Sequence, residues 1–397
     1  MNYIMVVNAG SSSIKFRLYK SECLTEICSS ICERIAIDGI FKLNYSIADK
    51  KESFEEKTSF INHEIAVDYF LNKLLQLKII NDLTEITGVG HRVVQGGAIT
   101  KSSIIDNNIL DEIEKCIKLA PLHNKPELDV IKIIIKKINN AKNVAVFDTS
   151  FHATIPKINS YYPIPKKWID NYKIKKYGFH GTSYRYILEK ANEILAKNRP
   201  LNLVICHLGN GASVCCIKND VSYDTTMGFT PLAGLVMGTR CGDIDPSILD
   251  YLITQEKNSI DDVFNALNRE SGVKSICNAS DFRDISANCL PGNDYEFARD
   301  LFCQKIANYI CIYMNLLECK IDAIIFTGGI GENDWKVREN VCEKIFIRNI
   351  KINSSRNKSK YNDYNIISSP LSQVKVLTIR TNEELKIAQD TKSLIEK

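Results

Sequence analysis

Two stretches of this chain share one pattern of apolar and small residues. In each stretch, a β-branched apolar run leads into a turn of small residues and then into a second strand-like run. The first pair of runs is Tyr3–Val7 and Ile14–Tyr19, and the second pair is Leu203–Leu208 and Val214–Ile217. Runs of this length on either side of a small-residue turn are typical of β-hairpins. The sequence therefore predicts a hairpin in each half of the chain.

Elsewhere, apolar residues recur at helical spacing and alternate with further strand-like runs. This alternation predicts an α/β fold with mixed sheets. Helices are expected over residues 63–80, 111–119, 127–138, 184–197 and 295–319 and from Glu383 onward, and strands over 143–147, 322–326 and 374–379. The polar residues 353–363 are expected to form a surface loop, and residues 156–176, rich in Pro, Tyr and Lys, are expected to link two domains.

The length of the chain indicates two domains, because 397 residues are too many for one ordinary hydrophobic core. We place the boundary near residue 150. The first domain then covers residues 1–150 and is joined by a C-terminal helix over 384–397, and the second domain covers residues 151–383.

Composition excludes several classes of protein. A net charge of +4 is too small to indicate binding to nucleic acid or to a membrane surface. No apolar run approaches the ~20 residues of a membrane span, and no secretory signal pattern is present. The 14 cysteines include no Cys-x-x-Cys pair, and most lie in apolar runs, which favours buried free thiols over disulfides or a metal site. We therefore expect a cytoplasmic protein.

The turns of both predicted hairpins have the chemistry of a phosphate site. Small residues let backbone N–H groups close around an anion, and hydroxyl groups add donors. After the first turn, alternation along the strand aims Lys15 back at the loop, and the Asn8 carboxamide offers an oxygen ligand for Mg²⁺. His207 stands at the mouth of the second turn. A plain Ser-rich turn and a plain Asn-Gly hairpin are the alternatives. Together the turns predict a nucleotide in a cleft between two related halves.

Other candidate residues stand at strand ends or in glycine-rich turns. Asp148 ends a strand, Arg92 precedes a bend, His180 precedes a helix, and Arg240 is flanked by glycines. An arginine in a tight turn can bind a carboxylate or phosphoryl group through its planar fork. The glycine-rich turn over residues 327–333 can let the backbone approach adenine or ribose. The alternatives are a surface arginine, acidic partners for Arg240 and a core imidazole.

The motifs, taken together and in order, resemble the acetate kinase family. The matching segments span nearly the whole chain: Asn-Ala-Gly-Ser-Ser-Ser at 8–13, His-Arg-Val-Val at 91–94, Phe-Asp-Thr-x-Phe-His at 147–152, Tyr-Gly-Phe-His-Gly-Thr-Ser at 177–183, His-Leu-Gly-Asn-Gly at 207–211, Met-Gly-Phe-Thr-Pro-Leu at 227–232, Gly-Thr-Arg-x-Gly-Asp-Ile-Asp-Pro at 238–246, Phe-Thr-Gly-Gly-Ile-Gly-Glu-Asn at 326–333 and Thr-Asn-Glu-Glu at 381–384.

This resemblance implies a fold and a reaction. The fold is the duplicated one shared by actin, sugar kinases and the heat-shock chaperone ATPase, and family members are homodimers. The reaction is reversible transfer of the ATP γ-phosphate to acetate, which gives acetyl phosphate and ADP and requires Mg²⁺, for which Mn²⁺ can substitute. No nucleic acid or membrane partner is implied.

The resemblance also implies roles for particular residues. The metal site falls at Asn8 and Glu383, and the acetate-binding arginine at Arg92. The apolar pocket for the methyl group comprises Val93, Leu122, Phe179 and Pro231. The transition-state stabilisers are His180 and Arg240, and Asp148 matches the catalytic acid. The nucleotide-binding residues are Lys15, His207, Leu208, Gly209, Asn210, Gly211, Asp281, Phe282, Arg283, Gly329, Ile330, Gly331, Glu332 and Asn333.

Several positions depart from the usual family pattern without removing a residue given a role above. They are Gln95, Ala98, Lys125, Tyr184, Ala233, Cys241 and Phe282. Two other functions compete with acetate kinase. A kinase for propionate or butyrate would use the same chemistry, and one methylene in an apolar pocket discriminates by only about 10–200-fold. An ATP-driven conformational protein of the actin or chaperone type would not need the arginines at 92 and 240.

Overall fold

The computed structural model describes residues 2–47 and 50–397. The chain divides into two compact units. The first unit comprises Met1–Phe151 and Asn382–Lys397, and the second comprises His152–Thr381. The first unit therefore contains both ends of the chain. In the described part of the chain, no helix is both long and apolar enough to cross a bilayer.

The first unit is built on a mixed sheet with three helices and the C-terminal helix. Its strands are β1 (Tyr3–Ala9), β2 (Ser13–Lys20), β3 (Glu26–Glu33), β4 (Ile40–Ile47), β5 (Lys50–Lys57), β6 (Ile86–Val93), β7 (Ser103–Ile104) and β8 (Lys142–Phe147). Its helices are α1 (His63–Gln76), α2 (Asn107–Lys115), α3 (Pro121–Lys137) and the C-terminal helix (Glu383–Ile395). The strand order is β5-β4-β3-β2-β1-β6-β8-β7. The strands from β1 to β5 form an antiparallel meander, and β6 and β8 join β1 in parallel.

Strand β1 is buried on both faces, which explains its uninterrupted apolar run. Met5 and Val7 pack into the cluster that includes α1 and α3 residues such as Phe70. Ile4 and Val6 point to the opposite face and pack with Ile387 and Ala388 of the C-terminal helix. Alternating side chains of one strand thus fill two separate cores.

The C-terminal helix packs closely on β6 because glycine leaves room for it. A Cβ atom at Gly90 would lie 2.3 Å from Oγ1 of Thr391 and 2.6 Å from Cγ2 of Ile387. At Gly88, a Cβ atom would lie 2.6 Å from Cδ1 of Ile395. Real Cβ atoms essentially never come this close to a neighbour, so a side chain at Gly90 would force Thr391 and Ile387 to move, and one at Gly88 would force the end of the Ile395 side chain to move.

The second unit is built on a mixed sheet surrounded by helices. Its strands are β9 (Leu203–Leu208), β10 (Ala212–Lys218), β11 (Val221–Thr225), β12 (Ala323–Thr327), β13 (Tyr364–Ile366) and β14 (Lys375–Ile379). Its helices are α4 (Lys157–Ser160), α5 (Lys166–Tyr172), α6 (Gly181–Leu195), α7 (Ser247–Asp250), α8 (Ile260–Arg269), α9 (Lys274–Cys277), α10 (Phe282–Asn288), α11 (Asp294–Leu316), α12 (Gly328–Asn333), α13 (Trp335–Glu343) and α14 (Ser354–Lys358). Short 3-10 or π turns occur in both units.

The two sheets repeat one topology. The second sheet has the order β11-β10-β9-β12-β14-β13, in which β9, β10 and β11 form an antiparallel meander and β12 and β14 join β9 in parallel. The segment β3-β2-β1-β6-β8 of the first sheet has the same order and the same directions. Both predicted hairpins are confirmed, as β1–β2 and β9–β10.

Several sequence predictions differ from the structure. The expected linker over 156–176 contains α4 and α5 and belongs to the second unit, and the helix predicted over 111–119 begins at Asn107. The predicted helix over 127–138 begins six positions earlier, at Pro121, because proline is tolerated in the first turn of a helix. The polar stretch 353–363 is not only a surface loop, since it contains α14 and the buried Asn357. The glycine-rich turn after β12 is the short helix α12, which begins at Gly328 with a positive φ of 76°.

The loop after β6 is held by two buried polar side chains of α3. Asn124 accepts a hydrogen bond from the Gln95 amide at 3.1 Å and donates to the Gln95 carbonyl at 2.8 Å. Oε2 of Glu127 accepts from the Val94 amide at 3.1 Å. Burial raises the pKa of Glu127 to about 8, although the Val94 amide and Arg92 lower it. Glu127 is therefore largely protonated in the folded state at neutral pH.

Glu127→Gln should change how stability depends on pH. The raised pKa of Glu127 contributes stability that is complete below its ordinary value of 4.5 and is lost as the pH rises towards about 8. A glutamine stays neutral and still accepts from the Val94 amide. We expect the urea midpoint of the variant to rise relative to that of the unmodified protein between pH 5 and pH 8. Glu114→Gln, at an exposed ion pair with Lys132, is the control. Parallel pH curves for Glu127→Gln and the unmodified protein would contradict the raised pKa.

Candidate active site

A cluster of three charged side chains lies at one edge of the first sheet. Arg92 is near the end of β6, Asp148 directly follows the parallel strand β8, and Glu383 begins the C-terminal helix. Nη2 of Arg92 donates to Asp148 at 2.6 Å, and its Nε lies 3.2 Å from both oxygens of the same carboxylate. Oε2 of Glu383 lies 3.8 Å from Nε of Arg92. The structure thus brings three of the predicted residues together.

Because these three charged side chains are largely buried, the electrostatic interactions between them are strong. The Asp148 side chain is 1% exposed and the Arg92 side chain 20% exposed. Burial opposes the charge of Arg92, but Asp148 and Glu383 raise its pKa by more, so the net shift is upward. Burial also raises the pKa of Glu383 to about 7, with a further rise from Asp148, whereas Arg92 and Lys15 lower it. Among the described residues, none accepts a hydrogen bond from Nη1 of Arg92, so this donor is available to a ligand.

The first phosphate turn lies at the end of β1 in the same unit. Asn8 and Lys15 are cross-strand partners in β1 and β2, and the Lys15 side chain is exposed. The Gly10 amide donates to the Ser13 carbonyl at 2.7 Å, which closes the turn. Nε2 of His63 lies 2.8 Å from the Gly10 carbonyl and supports the turn from α1. Sequence reasoning missed His63, because nothing near it in the chain points to the turn.

The donor set of the first unit suits Mg²⁺. Asn8 offers a carboxamide oxygen, and Glu383 offers a half-buried carboxylate. Mg²⁺ prefers one or two such oxygen ligands, with water and substrate phosphates completing the octahedron. In residues 2–47 and 50–397, no group of three or more His, Cys, Asp or Glu side chains could hold a metal ion. The carboxamide of Asn8 and the carboxylate of Glu383 are oxygen ligands of the kind that a hydrated hard cation prefers.

In the second unit, His180 and Arg240 both face the turn of the second hairpin. A Cβ atom at Gly211 would lie 3.6 Å from Nε2 of His180 and 3.5 Å from Nη1 of Arg240. His180 has a φ of 59°, a left-handed conformation uncommon outside glycine, and its ring stacks on His207 with centroids 4.3 Å apart. Burial lowers the pKa of Arg240, whose Nη1 donates to the Pro231 carbonyl at 3.2 Å. The turn is thus flanked by two nitrogen donors.

The four residues predicted for the methyl pocket lie in different surroundings. Val93 is fully buried in a core cluster of the first unit, and Leu122 is 45% exposed at the start of α3. In the second unit, Phe179 is 1% exposed, and its carbonyl lies 2.8 Å from Nε2 of His152. Pro231 is partly exposed and holds Arg240 through its carbonyl.

A pocket of about 910 Å³ lies next to the second hairpin turn. Eight predicted nucleotide-binding residues line it: Gly209, Asn210, Asp281, Phe282, Arg283, Gly329, Ile330 and Asn333. Six lining residues were not predicted: Ser280, Ser286, Ala287, Asp334, Trp335 and Lys336. Five other predicted nucleotide-binding residues of this unit do not line the pocket: His207, Leu208, Gly211, Gly331 and Glu332. The pocket has the size of a small-molecule site.

Two charged side chains, of which Arg338 is buried, hold α12 at the wall of this pocket. Oε1 of Glu332 accepts from the amides of Gly328 and Thr381, each at 3.0 Å. Arg338 is 3% exposed and donates to the carbonyls of Gly331 at 2.9 Å and Glu332 at 3.0 Å. Glu332 therefore stabilises the backbone next to the pocket and does not line the pocket itself. The sequence did not predict this role of Arg338, since a single arginine in a helix gives no indication of which backbone groups it binds.

Comparison with known proteins gives one consistent family. The model of the Acetokinase family matches residues 3–389. The acetate kinase of Mesoplasma florum is 46% identical over 98% of this chain and 99% of its own length. The acetate kinase of Mycoplasma genitalium is 48% identical over 98% of this chain and 96% of its own length.

Solved structures agree with this family in fold. A propionate kinase from Francisella tularensis superposes with a TM-score of 0.91 at 36% identity, covering 99% of this chain and all of that one. The acetate kinase of Porphyromonas gingivalis superposes with a TM-score of 0.90 at 33% identity, with full coverage of both chains. These matches and the repeated sheet topology confirm the predicted duplicated α/β fold. The chain therefore belongs to the acetokinase family.

Proposed function

We propose that this protein is an acetate kinase that transfers the γ-phosphate of ATP reversibly to acetate in the presence of Mg²⁺. The observation that carries the proposal is the position of His180 Nε2 and Arg240 Nη1 at Gly211, one residue from Asn210 in the wall of the 910 Å³ pocket. A nucleotide in that pocket would have two nitrogen donors beside the turn that receives its phosphates. Phosphoryl transfer needs such donors, because its transition state spreads negative charge over equatorial oxygens.

Arg92 is the proposed acetate-binding residue. Its Nη1 remains available while Nε and Nη2 are held by Asp148, so the orientation of the fork is fixed before a ligand binds. A second carboxylate, that of acetate, would approach this free donor. The methyl group of acetate is proposed to contact Val93, Leu122, Phe179 and Pro231.

Asp148 is proposed as a positioning residue for Arg92. Acetate is already ionised near neutral pH and needs no general base. The carboxylate of Asp148 is directed at the guanidinium, with its shortest contact at 2.6 Å. This geometry favours orientation of Arg92 over proton transfer.

Mg²⁺ is the proposed cofactor, with Mn²⁺ as a substitute, and Asn8 and Glu383 are the residues that would hold it. When bound, the ion neutralises charge on the phosphate oxygens. Lys15 supplies a further positive charge next to Asn8 in the register of β1 and β2. The remaining nucleotide contacts are proposed at the residues that line the pocket, with His207, Leu208, Gly211, Gly331 and Glu332 as their supports.

The biological setting of the enzyme is also a proposal. We propose a cytoplasmic homodimer, with no nucleic acid or membrane partner, on the strength of the family. The domains are proposed as residues 1–150 with 384–397, and 151–383, which the two compact units support to within two residues.

Propionate kinase is the second candidate function, because the propionate kinase of Francisella tularensis has the same fold at 36% identity. Leu122, one of the proposed contacts for the methyl group, is 45% exposed, which leaves room beside it for a longer acyl chain in this proposal. One methylene changes specificity by only about 10–200-fold, so the two activities can coexist in one site.

Substrate choice is tested by steady-state kinetics with acetate, propionate and butyrate. ATP and Mg²⁺ are supplied, and the acyl phosphate is trapped with hydroxylamine as the hydroxamate. We expect formation of the hydroxamate to require added acid and kcat/KM to be highest for acetate. A higher kcat/KM for propionate would establish the second candidate. A yield independent of added acid would contradict carboxylate kinase activity altogether.

Arg240→Ala should lower kcat by at least ~100-fold, because it removes one electrostatic donor to the transferred group. The KM for ATP should change far less, since Arg240 does not line the nucleotide pocket. Arg199→Ala, which removes a half-exposed arginine paired with Asp322 in the same unit, is the matched control and should retain activity. A change confined to KM would show that Arg240 only binds substrate.

Asp148→Asn should raise the KM for acetate by about 10-fold or more and lower kcat, because its amide presents only one oxygen to the two donors of Arg92. The affinity for Mg²⁺ is measured in parallel by titration. Asp129→Asn, at an exposed ion pair with Lys125, serves as the control. Full turnover with unchanged Mg²⁺ affinity in Asp148→Asn would rule out the positioning role.

A further inference from the structure

Three hydrogen-bonding side chains form a row that ends at His180. Oη of Tyr184 lies 2.5 Å from Oγ of Ser213, and Oγ of Ser213 lies 2.8 Å from Nδ1 of His180. Tyr184 and Ser213 have no exposed surface. Tyr184 lies in the first turn of α6, and Ser213 is in β10, opposite His207 of β9. The row connects a buried phenol to the imidazole beside the second hairpin turn.

The direction of the first hydrogen bond follows from burial. Among the described groups that interact with the Tyr184 hydroxyl, Oγ of Ser213 can accept its proton. The backbone amide of His207 also influences this hydroxyl, but an N–H group is a donor and cannot take a proton. A buried hydroxyl proton without an acceptor is costly. Tyr184 therefore donates to Ser213.

The direction of the second hydrogen bond follows from the first. The Ser213 hydroxyl has one proton, and its described partners are Tyr184 and Nδ1 of His180. Because Ser213 accepts from Tyr184, its own proton is satisfied only by donation to Nδ1. Nδ1 is then an acceptor, so the proton of a neutral His180 ring resides on Nε2.

We propose that Tyr184 and Ser213 are positioning residues that hold His180 as the neutral imidazole with its proton on Nε2. This inference rests on the proposed function, in which Nε2 of His180 faces the phosphoryl group at the second hairpin turn. An N–H group there donates to a phosphate oxygen, whereas a bare ring nitrogen would repel it. The row thus gives the ring its donor before the substrate arrives.

The positive charge of Arg240 agrees with a neutral His180 ring. A Cβ atom placed at Gly211 would lie 3.6 Å from Nε2 of His180 and 3.5 Å from Nη1 of Arg240, and the His180 ring also stacks on the imidazole of His207. A second cation beside Arg240 would be unfavourable in the absence of phosphate. The neutral tautomer avoids that repulsion and still provides a donor.

The tautomer is read directly by ¹⁵N NMR of the full-length protein labelled at histidine. The His180 resonances are assigned by their loss in His180→Asn. We expect a neutral His180 with the proton on Nε2 in the absence of substrate at neutral pH. In Ser213→Ala this preference should be lost, and Ser213→Thr, which keeps the hydroxyl, should restore it. If His180 of the unmodified protein is protonated on Nδ1, or on both nitrogens, the inference is overturned.

Ser222→Ala is the matched control. Oγ of Ser222 lies 2.8 Å from Nδ1 of His152, and Ser222 is fully buried in the same sheet. The control therefore removes an equal hydroxyl from a different histidine and should leave the His180 tautomer unchanged. If Ser213→Ala does not fold, Tyr184→Phe gives the same test, since Ser213 is then free to accept from Nδ1.

Kinetics distinguish failure of this inference from failure of the proposed function. Ser213→Ala should lower kcat by about 10–100-fold, the usual range for a residue that orients an active group, with a smaller change in the KM for ATP. Unchanged kcat in a Ser213→Ala protein that has lost the tautomer preference would overturn the positioning role. If the unmodified protein forms no acyl hydroxamate, the proposed function fails. The NMR measurement of the His180 tautomer does not depend on that result and tests the inference separately.

Discussion

Burial of the central strands on both faces is the constraint that organises this protein. In β1 and β9, most positions are buried, because side chains on both faces of these strands pack into the protein interior. Polar groups are therefore placed at the strand ends. In each sheet, the parallel strands beside the central one end at the same edge, so residues far apart in the chain meet there. Arg92 and Asp148 meet in this way, and the arrangement follows from topology rather than from proximity in sequence.

The loops at these edges are held by polar and charged side chains that bind backbone groups. Asn124 binds the amide and carbonyl of Gln95, Glu332 binds two amides, and Arg338 binds two carbonyls at the end of α12. Each interaction satisfies backbone groups that would otherwise be buried without partners. Such loops are fixed to the helices behind them, and a rigid loop can present a ligand with donors at defined distances.

The sequence predicted those features that depend on local patterns. Both hairpins and the approximate positions of the long helices follow from the spacing of apolar residues, and the family motifs predicted the fold that the comparisons confirm. The start of α3 was predicted too late because of Pro126, since proline inside a helical pattern usually marks a helix end. His63 could not be predicted as a support, since its partner Gly10 lies 53 positions away. Arg338 could not be predicted either, because no local pattern indicates that it binds the carbonyls of Gly331 and Glu332. The roles of the candidate site residues remain predictions.

The discontinuous first unit has a consequence for synthesis. Its last helix comprises Glu383–Ile395, whose Ile387 and Ala388 cover Ile4 and Val6 on one face of the first sheet. A ribosome makes the entire second unit before it makes this helix. The face of the first sheet that this helix covers therefore stays uncovered while the second unit is synthesised, at about 5–20 residues per second. The nascent chain cannot complete its first unit, nor place the carboxylate of Glu383 beside Arg92, until the helix Glu383–Ile395 has left the exit tunnel.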